Sequence, residues 1–193
     1  MPRHGLPLRL FVAIYPPADS ARSLLTLLDT LTLPNYRATP VDQLHLTAHF
    51  IGDTPQRDLR DTLESVERSC AGLDAFALTP HELITIPLPP DRSPPRLVAA
   101  TTDAPPTLLE LHRRLVTRLS RVRERRGHFH PHFTLCRFPQ GVYAERINTP
   151  VAAVAPGVQG ALAPFTINEV LVMSSRLTAA GAVHERVAGI GLG

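Results

Sequence analysis

Two tripeptides of this chain pair an imidazole with a hydroxyl: His45-Leu46-Thr47, within LHLTAHFIG, and His132-Phe133-Thr134, within HPHFTLCRF. Both lie in apolar, β-prone runs. Side chains alternate faces along a strand, so residues i and i+2 share one side, about 6.5–7 Å apart. Each tripeptide therefore sets a His beside a Thr. Two such surfaces facing each other hold one phosphate between two imidazoles and two hydroxyls. An imidazole titrates near pH 6.5 and serves as acid or base close to neutrality. The set is equipped to cleave a phosphodiester without a metal.

The elements that must position these residues follow from the apolar pattern. Residues 8–15 read as a buried strand, and Asp19 or Ser20 caps a helix with Leu24, Leu25, Leu27, Leu28 and Leu31 on its apolar face. A short strand at 36–39 precedes the first His-x-Thr strand, 44–51. Gly52-Asp53 then turns the chain, and Thr54-Pro55 opens a second helix to about Cys70, with Leu59, Leu63 and Val66 inward. Residues 76–78 and 96–101 are expected strands around a proline-rich loop. A third helix begins within 103–106 and runs to about Arg125, where Gly127 ends it. The second His-x-Thr strand covers 132–138. A loose stretch, 139–164, leads to two last strands, 167–177 and 182–188. A strand–helix–strand unit in each half predicts an α+β fold of two similar lobes, each a small sheet with helices outside.

Composition removes several alternatives. All twenty Lys+Arg residues are arginine, which excludes a nucleotidyl-lysine ligase and a Walker-A phosphate site. The 193 residues, 44% of them hydrophobic, suffice for a buried core. A net charge of +3 permits an anionic partner without requiring one. Seven arginines crowd residues 113–126. They suit a helix C-terminus, where the macrodipole favours cations, and they also suit a patch that steers RNA phosphates. Cys70 and Cys136 make neither a disulfide framework nor a zinc pattern. The apolar run 8–14 is short and lacks a signal-peptide cleavage site, and no run approaches a membrane span. The expectation is a soluble, reduced, cytoplasmic protein.

The letters around the two tripeptides carry more. His45-Leu46-Thr47-Ala48-His49-Phe50 fits H-L-T-x-x-F, and His130-Pro131-His132-Phe133-Thr134-Leu135-Cys136-Arg137 fits H-P-H-x-T-L-x-R. Arg9-Leu10-Phe11-Val12-Ala13-Ile14 stands near the start and Ser174-Ser175 in a late strand. Over about residues 8–188 the chain closely resembles the RNA 2′,3′-cyclic phosphodiesterases. These are also called 2′-5′ RNA ligases, a branch of the two-histidine (2H) phosphoesterase superfamily. The resemblance implies a bilobed α+β fold in which residues 1–193 form a single domain of two intertwined lobes. Each lobe carries one motif and a mostly antiparallel sheet flanked by outer helices, with the active cleft between them. The resemblance also implies that His45 and His132 are catalytic; we take His45 as proton donor and His132 as proton acceptor, and the sequence leaves the reverse assignment open. Thr47 and Thr134 bind substrate; Arg137 either joins them at the phosphate or braces the sheet edge. No metal and no cofactor are expected. The implied partner is RNA ending in a 2′,3′-cyclic phosphate or a 2′-phosphate, handled by a monomer away from membranes.

Neighbouring residues are assigned by the same alternation. His49 falls on the face of His45 and Thr47, where it either extends the polar cleft or sits solvated at its edge, while Phe50, Phe133 and Leu135 turn into the core. Phe129 and Tyr143 either pack or stack on a base. The proline-rich insertion at 87–95 shapes the cleft rim. A zinc site is disfavoured. Leu46 stands where an H-E-x-x-H helix needs Glu, and His128, His130 and His132 on one extended strand are too spread to share an ion. Two other functions remain open. One is a 2H enzyme acting on a small cyclic phosphate such as ADP-ribose cyclic phosphate. The other is a nucleotide-binding module without turnover, against which the intact histidines and threonines weigh.

Overall fold

The computed structural model describes residues 6–120, 129–154, 162–178 and 181–193. The first strand, β1 (Leu8–Ile14), has residues 10–14 no more than 2% exposed. A run buried on both faces belongs in the middle of a sheet, and β1 lies there. Helix α1 (Ala18–Thr26) starts directly after Pro17, which takes the N-cap position without a side-chain bond. Asp19 is therefore a first-turn residue rather than the cap, paired with Arg22 at 2.5 Å. A 3-10 turn, Leu27–Thr30, buries Leu27 and Leu28. The two-residue β2 (Arg37–Ala38) and a second 3-10 turn, Val41–Gln43, lead into β3 (Leu46–Thr54).

β3 corrects one expectation: Gly52-Asp53 does not turn the chain. Leu10 pairs with Gly52 and Phe11 with Phe50, so Ile51 is an extra residue in β3. Gly52 has a φ of +85°, a conformation glycine adopts without a Cβ clash. The glycine serves a bulge, and the strand runs on to Thr54. The following helix, α2 (Leu59–Cys70), comes only after a 3-10 turn at Gln56–Asp58, so Thr54 does not cap it.

The second half begins with β4 (Phe76–Leu78), β5 (Pro80–Ile86) and β6 (Leu97–Thr102). The pattern reading missed β5, because Pro80, His81 and Glu82 look like loop. Pro80 sits at the first strand position, which needs no ladder N–H, and Leu83, Ile84 and Thr85 are buried. Helix α3 (Pro106–Leu119) and β7 (His132–Arg137) follow; α3 stops short of the end expected near Arg125, because Ser120 is already extended at ψ 115°, and Arg125 and Gly127 themselves lie outside the described residues. After these come β8 (Asn148–Pro150), the one-turn α4 (Val151–Val154), β9 (Phe165–Ile167), β10 (Glu169–Thr178) and β11 (Gly181–Gly191).

Among the described residues the main sheet runs β11-β10-β1-β3-β7-β6-β5-β8, with β2 also on β7, and every pair is antiparallel. β4 and β9 form a separate two-stranded sheet. Apart from β2, the two halves of the main sheet are four strands each, and they meet at a single register pair, Leu46 with Phe133. Beyond that pair β2 takes over the same edge of β7, opposite Cys136 and Arg137. The two His-x-Thr strands are thus the innermost strands of the two halves, touching at one point and parting on either side. α3 lies against β3 and α2 against α3, and their buried Leu108, Leu111, Leu115 and Val66 fill the core behind the motifs. Burying each such leucine contributes about 1.5–3 kcal/mol. No described helix is long and apolar enough to cross a membrane.

Candidate active site

The register pair fixes the geometry of the four motif residues. Leu46 and Phe133 are fully buried and face the core. Continuing the antiparallel register by one residue either way sets His45 across from Thr134 and Thr47 across from His132. These four occupy the opposite face and are all partly exposed. In a regular ladder four such positions mark a rectangle about 5 Å wide and about 7 Å long, with the two histidines on one diagonal; here only the Leu46–Phe133 pair is in register and the strands part beyond it. His45 stands one residue ahead of β3, not within it.

A bulge follows each threonine, and here strict alternation fails. In β3, Val12 pairs with His49 and Ala13 with Thr47, so Ala48 is extra. In β7, Val98 pairs with Cys136 and Ala99 with Thr134, so Leu135 is extra. An extra residue inverts the facing of everything beyond it. His49 consequently turns to the core side, 3% exposed, instead of edging the cleft. Phe50 takes the site face, 68% exposed, where core burial was expected. In the other strand the same inversion brings Arg137 onto the face of His132 and Thr134. Both bulges are tied down. The Ala48 carbonyl accepts a 2.7 Å bond from His112 Nδ1, and the Leu135 carbonyl accepts 2.8 Å from the Thr39 N–H. Thr39 Oγ1 adds a bond to the Thr134 carbonyl at 2.7 Å.

Both catalytic candidates are held in the same way. His45 Nδ1 lies 2.7 Å from the Gln43 carbonyl, and His132 Nδ1 lies 2.8 Å from the His130 carbonyl. A carbonyl only accepts, so each Nδ1 carries a hydrogen and each Nε2 is left for chemistry. Neutral, Nε2 is a base; charged, it is an acid. Burial pushes the His45 pKa down to about 4; the Gln43 bond opposes this, while the charges of His184, Arg137 and His132 add to it. His132 is lowered less far, again first by burial, then by Arg137 and His130, with the His130 carbonyl bond opposing.

Three rings surround His45 that no motif identified. Phe11 lies 5.1 Å away between centroids, Tyr15 at 5.5 Å and His184 at 5.2 Å. Burial pushes the Tyr15 hydroxyl up to about 12, helped by Asp42. Phe50 leans on Phe11 at 6.2 Å, presenting an exposed ring beside the histidine. A spacing signal for Phe50 did exist, since it stands three residues past Thr47 as Arg137 stands three past Thr134. His184 carried no signal, because it reaches the site from a strand distant in sequence.

The remaining expectations divide. Phe129 packs, stacked on His112 at 4.0 Å, whereas Tyr143 is 73% exposed and does not. Arg113 and Arg114 bind Glu110, and Arg114 also donates to the Ala71 carbonyl at 2.8 Å. Those two arginines are engaged in the fold, while Arg121, Arg123, Arg125 and Arg126 lie outside the described residues, as does His128. The proline-rich loop between β5 and β6 is pinned by Arg146, which donates to the carbonyls of Pro87, Asp91 and Ser93. Among the described residues no group of three His, Cys, Asp or Glu is placed to hold a metal ion. Cys70 and Cys136 are buried free thiols.

Comparison with known proteins agrees with this fold. Escherichia coli LigT complexed with phosphate superposes with a TM-score of 0.74 at 23% identity, covering 97% of this chain and 99% of LigT. TT0787 of Thermus thermophilus superposes at 0.75 with 20% identity, covering 95% and 97%. Likeness at such identity establishes the fold, α+β with a mostly antiparallel sheet. No curated protein matches the chain. The family model of the 2′-5′ RNA ligase superfamily matches residues 15–177, a span that holds both His-x-Thr strands, and the chain belongs to that superfamily.

Proposed function

We propose that the protein hydrolyses RNA 2′,3′-cyclic phosphate ends to 2′-phosphate ends without a metal, as a cytoplasmic monomer in which residues 1–193 act as one two-lobed domain. Membership of the superfamily supports a phosphodiesterase activity. The observation that carries the finer reading is the matched tethering of His45 and His132. Each is fixed through Nδ1, which leaves Nε2 for chemistry, and both share one face of the sheet with Thr47 and Thr134.

In this mechanism water attacks phosphorus from the His132 side, in line with the P–O3′ bond. His132 Nε2 takes a proton from the water as the new P–O bond forms. The P–O3′ bond breaks, and O3′ leaves with the proton of His45 Nε2, giving a 3′-hydroxyl and a 2′-phosphate. In the free enzyme His45, the more strongly depressed, holds a proton less well than His132, so its part as donor depends on the charge that arrives with the substrate. The anionic phosphate favours the charged form of His45 when it binds. Thr47, Thr134 and Arg137 receive the charge on the non-bridging oxygens, and Phe50 offers a face for the terminal base. The same displacement with a 5′-hydroxyl in place of water joins two ends through a 2′-5′ bond without ATP. Abundant water keeps it minor.

The test is to incubate purified protein in EDTA with RNA ending in a 2′,3′-cyclic phosphate and to identify the terminus. Conversion to a 2′-phosphate, undiminished by chelation, is expected. A 3′-phosphate product, or activity lost in EDTA and restored by Zn²⁺ or Mn²⁺, overturns the reading. Turnover of ADP-ribose cyclic phosphate in preference to the RNA end reassigns the substrate.

A further inference from the structure

Phe11, His45 and His184 form a nearly equilateral triangle of rings, with centroids 5.1, 5.0 and 5.2 Å apart. Strand order alone does not predict it. Three strand spacings separate β11 from β3, roughly 14 Å in a flat sheet. The β10–β11 hairpin therefore coils over the face of β1. Val187 is an extra residue in β11, between the pairs Val172–Ala188 and Met173–Arg186, and a bulge of this kind strengthens local twist. Farther along the hairpin, Gly181 has a φ of +114°, and a Cβ there would lie 2.6 Å from Arg37 Nη1. The hairpin thus reaches from the sheet's outer edge across to the side chain of β2.

His184 meets both partners edge to face, at 82° to His45 and 74° to Phe11. Its Nδ1 is buried with no hydrogen-bond partner among the described residues. Ring contacts, not a bond at that nitrogen, hold it. We infer that His184 is a positioning residue for His45: with Phe11 and Tyr15 it fixes the plane of the catalytic imidazole. Beside this geometry, a charge on His184 opposes the charging of His45. The groups facing His45 are Tyr15 beyond β1, His184 on β11, and His132 and Arg137 on β7; Arg137 also faces His184. This inference rests on His45 being the proton donor of the proposed reaction.

The experiment compares wild type, His184→Phe and His184→Ala by two readouts. The NMR titration of the His45 ring needs no turnover, and steady-state kinetics use a 2′,3′-cyclic mononucleotide. His184→Phe keeps a ring but removes the charge, so the His45 midpoint should rise by about half a unit or more. His184→Ala should lower kcat about 10-fold with KM nearly unchanged, and His184→Phe should recover most of that loss. A His45 midpoint unmoved in His184→Phe overturns the inference, as does an Ala variant whose kcat equals wild type. If wild type itself turns over no cyclic phosphate, the proposed function fails, and the titration alone then decides the part played by His184.

Discussion

Replacing His132 or His45 by alanine lowers kcat for cyclic phosphate hydrolysis by about 10²–10⁴-fold, the usual contribution of a positioned acid or base. Neither change should unfold the protein. Both rings lie at strand ends, tethered by one bond each to a carbonyl two residues back, and the core behind them is built by Leu46 and Phe133. Because the two imidazoles act as a unit, the double variant should be little slower than the worse single one. Thr47→Ala and Thr134→Ala cost less, since the other threonine and Arg137 still face the phosphate. The check is kcat on one substrate with thermal melts alongside. Near-native turnover in a folded histidine variant would mean that the residue has been assigned a role it does not have.

Arg137→Gln should raise KM about 10- to 100-fold with a smaller effect on kcat. The bulge at Leu135 brings this arginine to the site face, its guanidinium makes no hydrogen bond or ion pair among the described residues, and its charge is felt by His45, His132 and His184. A guanidinium in that setting is suited to an incoming anion. Charge-assisted hydrogen bonds to a phosphate are worth about 1.5–3 kcal/mol, which is the source of the expected change. Arg137→Lys should recover part of it, because an ammonium lacks the planar fork that meets two oxygens at once. An unchanged KM with a lowered melting temperature would instead make Arg137 a brace for the pairing of β7 with β2 and β6.

The sequence made His45, Thr47, His132 and Thr134 legible because i, i+2 spacing fixes a shared face wherever a strand is regular. It failed one residue later on each strand. His49 and Phe50 were exchanged between core and site because the bulge at Ala48 shifts the parity of β3. That bulge is stabilised by a bond from His112, on a helix more than sixty residues away, and no local pattern announces it. Gly52 was visible as a positive-φ candidate, yet a tight turn and a bulge ask for the same residue. β5 was hidden by a proline that is harmless at a first strand position. His184 was beyond reach for another reason: its approach to His45 depends on the coiling of a hairpin over three strands, and twist is a property of the assembled sheet.

The central claim is that one proton shared between His45 and His132 runs the reaction, and the pH dependence of kcat/KM tests it most directly. This quantity reports the free enzyme, in which His45 is pushed down to about 4 and His132 below its ordinary 6.5. The working pair carries one proton. As pH rises through the upper value the pair loses that proton and the rate falls; as pH drops through the lower value a second proton removes the base and the rate falls again. A bell with its maximum between about pH 4 and 6.5 is therefore expected, its limbs belonging to the coupled pair. The kcat profile should lie higher, because bound phosphate raises both pKa values. A kcat/KM that stays level or climbs from pH 6 to 9 would contradict the two-imidazole account.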